Sequence, residues 1–61
     1  MTDREHEVLR LLIKGFPNKE IAQALFISEK TVKTHLNKVF RKLNVTRRLA
    51  AILFAIKTGM V

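Results

Sequence analysis

The chain has 61 residues, of which 48% are hydrophobic, 28% charged and none cysteine, and its formal net charge is +7. That length makes one small domain with a single shared core; the missing thiols exclude a disulfide framework or a thiolate metal site, and no segment reaches the about 18 apolar residues that a membrane span requires. The charge is divided, because residues 1–29 carry four Lys or Arg against five Asp or Glu, whereas residues 30–61 carry eight cations and no acid, a surface suited to a polyanion.

The pattern predicts an all-α chain of four helices. Thr2 and Glu5 form a capping box ahead of Val8, Leu9, Leu11, Leu12 and Ile13, and Lys14-Gly15 end this first helix. Gly15 suits a left-handed stop, with Phe16 closing on Leu11. A second, short helix is expected after Phe16-Pro17, with Asn18 as its cap and Ile21, Ala22 and Leu25 on one side.

A tight turn at Phe26-Ile27 leads to Ser28, a good N-cap, and Ile27 can staple onto Val32. The third helix then runs to Leu43. Its apolar residues Val32, Leu36, Val39, Phe40 and Leu43 keep a helical period, and Lys30, Lys33, Thr34, Asn37 and Arg41 keep the same period on the other side. Asn44 tolerates the conformation that ends this helix, Thr46 is the expected cap of the fourth, and Gly59 stops it. No hairpin signal or repeat is present.

Two helices joined by a tight turn, the second of them cationic on its exposed side, make a helix-turn-helix whose second helix fits the DNA major groove. Lysine can donate to guanine O6 and N7, asparagine pairs with adenine N6 and N7, and the threonine methyl contacts that of thymine. Lys33, Thr34 and Asn37 are such a set. Lys38, Arg41 and Lys42 lie further along and suit phosphates, which fix register without reading sequence.

The stretch from Thr2 to Val45 resembles the LuxR-type (GerE-type) DNA-binding domain found at the C-terminus of many bacterial response regulators, through its opening helix, its NKEIA segment and its SEKTVKTH segment in order. The resemblance implies a four-helix domain, residues 1–61, that belongs to a longer transcription regulator. It implies double-stranded DNA as partner, with the third helix in the major groove, Lys30, Lys33, Thr34 and Asn37 at the bases and Lys19, Ser28 and Thr31 near phosphates. It also implies a homodimer, weak in the isolated domain, and allows RNA polymerase as a further partner.

Two departures stand out. Pro17 replaces the usual Ser or Thr cap of the second helix, and Arg47-Arg48-Leu49-Ala50-Ala51 stands where the family commonly has a polar cap and a Gln. The segment LAAILFAI then divides into Ala51, Phe54 and Ala55, assigned to the core, and the bulkier Leu49, Ile52, Leu53 and Ile56, assigned to a two-fold contact.

Other readings of the same residues are weaker. His35 lies beside the apolar stripe and suits packing or a phosphate, His6 is expected at the surface, and Glu20 in a first helical turn is a dipole partner. No cofactor or metal is expected and no enzyme, because two histidines 29 positions apart and no nucleophile-base arrangement leave little for catalysis. A sigma-factor-like promoter-binding helix-turn-helix is the alternative among DNA binders. A partner- or membrane-binding helical module is motivated by LAAILFAI, although its eight apolar residues cannot span a bilayer. The start MTDREHEVLR is too charged for a signal peptide, so a cytoplasmic protein with no membrane partner is expected.

Overall fold

In the computed structural model, which describes residues 1–59, helix α1 spans Asp3–Ile13, α2 Asn18–Leu25, α3 Glu29–Lys42 and α4 Arg48–Thr58. The expected capping box opens α1: the Glu5 N–H donates to Thr2 Oγ1 at 3.2 Å, and the Thr2 N–H donates to Glu5 Oε1 at 2.8 Å.

The first three helices end in the same way. Gly15, Phe26 and Asn44 adopt positive φ values of 93°, 57° and 57°. The next residue's N–H then reaches back five residues, from Phe16 to the Leu11 carbonyl at 3.1 Å, from Ile27 to Ala22 at 3.0 Å and from Val45 to Phe40 at 2.9 Å. This closure satisfies carbonyls that a helix end would leave orphaned, and it turns Phe16, Ile27 and Val45 onto the core. Glycine at the first stop and asparagine at the third suit the left-handed conformation. Phenylalanine at the second does not, and its side chain is 95% exposed.

α1 is the centre of the packing and touches each of the other helices, while α2 and α3 pack on one another as the helix-turn-helix. Val8, Leu9 and Leu12 of α1 meet Ile21 and Ala22 of α2, Val32, Leu36 and Val39 of α3, Leu43, and Ala51 and Ala55 of α4, all buried. Each fully buried Val, Leu or Ile contributes about 1.5 to 3 kcal/mol of transfer free energy, so this one cluster holds all four helices. The small side chains of Ala51 and Ala55 let α4 lie close against α1.

The helix starts correct two expectations. Asn18 does not cap α2; it is the first helical residue, the N-cap is Pro17, and the Asn18 side chain is taken by Arg48. Thr46 does not cap α4 either. The N-cap is Arg47, without a side-chain bond, because Arg48 is anchored to the α1–α2 loop and so fixes where the first turn begins. Phe54, assigned to the core, is 39% exposed, since α4 turns its two alanines inward and leaves the ring on the flank. His6, expected at the surface, is half-buried. No strand occurs among the described residues.

Candidate nucleic-acid interface

Helix α3 presents two different sides because one of them is fixed in the core. Val32 and Val39 are fully buried and Leu36 nearly so, and the 3.6-residue turn then sends Lys30, Lys33, Thr34, Asn37, Lys38 and Arg41 outward. None of the four cations in that set takes part in an ion pair among the described residues. The Thr34 hydroxyl donates to the Lys30 carbonyl at 3.1 Å, which uses its proton inside the helix.

The start of α3 is set by Ser28, whose Oγ accepts the Thr31 N–H at 3.1 Å and lies 2.8 Å from Thr31 Oγ1. One hydroxyl proton is used between the two side chains. The other stays available to an acceptor outside the protein. Lys19, the second residue of α2, is exposed. His35 is half-buried on the margin of the apolar stripe.

Lys42, expected at a phosphate, has a partner within the chain itself. Its Nζ donates to Glu5 Oε1 at 2.7 Å, across 37 residues of sequence, and Glu5 is 2% exposed. The hydrogen bond from Lys42, then that from the Thr2 backbone, holds the Glu5 carboxyl down from 4.5 to about 2, although burial opposes this. The ammonium and the Thr2 N–H together compensate the burial of this carboxylate.

The apolar face of α4 also differs from the expectation. Leu49, Leu53 and Ile56 are 65%, 58% and 59% exposed and follow one another at i, i+4 and i+7. Ile52, grouped with them in the sequence, instead packs against the core cluster. It lies between the alanines and the exposed stripe, so it forms the edge of the core.

Two relationships had no local signal. Glu5 was visible only as half of a capping box, and nothing near Lys42 marks its partner. Arg48 donates through Nη1 to Asn18 Oδ1 at 2.8 Å and through Nη2 to the Phe16 carbonyl at 2.7 Å, tying the first residue of α4 to both sides of Pro17. The Arg47-Arg48 pair stands out in the sequence, but nothing near it names Asn18 or Phe16 as its partners. An open groove between α1 and α2, lined by Glu7, Arg10, Leu11, Lys14, Ala24 and Leu25, contains no nucleophile paired with a base.

Comparison with known proteins agrees with this geometry. The pattern of the family described as "Bacterial regulatory proteins, luxR family" (GerE) matches residues 1–55. The chain is similar to the transcriptional regulatory protein DegU of Brevibacillus brevis, with 48% identity over 61 residues that cover 100% of the chain and 26% of DegU. The chain thus spans about a quarter of that relative's length. Among solved structures, the response regulator ChrA of a heme-sensing two-component system matches 98% of the chain and 30% of its own, with a TM-score of 0.93 and 45% identity. The DNA-binding domain of the response regulator ComA, solved with the anti-activator RapF, matches 90% of the chain and 95% of its own, with a TM-score of 0.87 and 44% identity.

Proposed function

The chain belongs to the luxR family of bacterial regulatory proteins, a family of DNA-binding transcription regulators and not of enzymes, and from that premise we propose that it reads double-stranded DNA with α3 in the major groove. The observation that carries this reading is the outward face of α3, where cations without an ion pair among the described residues stand together with hydrogen-bonding side chains, opposite a buried stripe. Lys30, Lys33, Thr34 and Asn37 lie in its N-terminal turns, the part of a recognition helix that meets base edges. With its proton held by Lys30, Thr34 offers its methyl group and lone pairs.

Phosphates are the partners of Lys19, Ser28, Thr31, Lys38 and Arg41. Lys42 is left out of this set because Glu5 holds it. The exposed stripe Leu49, Leu53 and Ile56 forms a small contact with its copy across a two-fold axis, weak alone but strengthened when two domains occupy adjacent half-sites. The domain acts in the cytoplasm as the DNA-reading part of a longer response regulator, and RNA polymerase is a partner open to it there. No helix among the described residues is long and apolar enough to cross a membrane.

Selection from random duplex DNA tests the proposal. The expected result is an enriched sequence of two related half-sites at a fixed spacing, bound with a strong salt dependence. Recovery of unenriched sequence, or equal binding to anionic vesicles, would reject it.

A further inference from the structure

Arg48 is an unusual residue to find at the start of a helix, where the backbone dipole favours anions over cations. Its place is explained by what its guanidinium holds. Nη1 binds the Asn18 side chain at 2.8 Å and Nη2 binds the Phe16 carbonyl at 2.7 Å, so one planar fork grips the residues on either side of Pro17. Pro17 is the N-cap of α2 and supplies no side-chain cap, and the side chain that could have replaced it, that of Asn18, is committed to Arg48. The α2 start is therefore fixed from outside by α4. Lys19 is the next residue after Asn18.

We propose that Arg48 is a positioning residue for DNA binding, holding the α2 start so that Lys19 faces the phosphate backbone while α3 lies in the groove. The same bonds set where α4 begins, one residue before the exposed Leu49. Arg48 thereby fixes the α4 stripe and the α2 start relative to one another. The inference rests on the DNA-binding reading above, and it adds a residue that itself touches no DNA.

The test uses the 61-residue chain and the duplex that the wild-type chain selects from random DNA. Arg48→Met keeps the aliphatic stem and removes both bonds, whereas Arg48→Lys keeps the charge and loses the fork. Loss of preorganisation at one long side chain predicts a weakening of about three- to tenfold for Arg48→Met, with helical CD retained. Arg48→Lys is expected to bind no better than Arg48→Met. Lys19→Ala is expected to weaken the wild type but to add little in the Arg48→Met background, because a released Lys19 has already lost its contact.

Full affinity in Arg48→Lys would overturn the inference by showing that charge alone matters, and so would full additivity with Lys19→Ala. Wild-type affinity in Arg48→Met would reject this inference and leave the DNA reading intact, whereas a wild-type chain that selects no duplex rejects both. If Arg48→Met unfolds, Asn18→Ala removes one of the two bonds with the guanidinium in place. It must then show a smaller loss of the same kind, again non-additive with Lys19→Ala.

Discussion

The ammonium of Lys42, at the last turn of α3, lies 2.7 Å from Oε1 of Glu5 in the first turn of α1. This pair fastens the end of the proposed recognition helix to the capping box that starts the domain. One oxygen of Glu5 accepts both the Thr2 N–H and the Lys42 ammonium.

Stability should therefore respond to acid in a defined window. The Glu5 carboxyl is held down to about 2 in the folded chain against 4.5 in its ordinary state. A depressed carboxyl contributes stability that is fully present above 4.5 and is lost as pH falls toward 2. Urea unfolding midpoints measured across that range should fall with pH. In Lys42→Met the fall should be much reduced, with lower stability at neutral pH, and an unchanged pH profile in this variant would contradict the pair's role.

The cations of α3 should separate by salt dependence. Replacing Lys38 or Arg41 by Ala should reduce the log-log salt slope of DNA binding by about 1 each, as expected for one lost phosphate contact. Lys42→Ala should leave the slope nearly unchanged and lower the melting temperature. A reduced slope for Lys42→Ala would mean that the ammonium leaves Glu5 when DNA binds.

On α4, burial distinguishes residues that composition groups together. Ile52→Lys should destabilise the monomer, because Ile52 packs against the core. Leu53→Lys and Ile56→Lys should keep helical CD and melting largely intact while abolishing cooperative binding to a paired site. Unfolding of the Ile56 variant would show that its side chain belongs to the core.

Phe26 offers a stabilising change. A non-glycine residue in the left-handed region costs about 1 to 2 kcal/mol, and asparagine reduces that cost by local hydrogen bonding. With φ at 57° and the ring 95% exposed, Phe26→Asn should raise stability by up to about 1 kcal/mol. A lower melting temperature would indicate that the ring makes a contact in solution.

How much of this was legible in the sequence follows from how local each cause is. The capping box, the stops at Gly15 and Asn44, and the buried stripe from Val32 to Leu43 depend on residues within a few positions of one another, and they were readable. The faces of α4 were not, because LAAILFAI offers no polar contrast to orient it, and only packing against the core separates Ile52 from Leu53. Glu5 with Lys42, and Arg48 with Asn18 and the Phe16 carbonyl, join residues 30 or more positions apart. Their partners emerge only when the chain folds. The same remoteness hid the partner of Lys42 and took Asn18 from its expected cap.

The central claim is that the outward face of α3 reads sequence, and affinity of Lys33→Ala and Asn37→Ala for the selected duplex and for a scrambled one tests it most directly. Each change should cost about 1 to 3 kcal/mol on the selected duplex and much less on the scrambled one. Equal losses on the two duplexes would contradict the claim and reduce this face to phosphate contact.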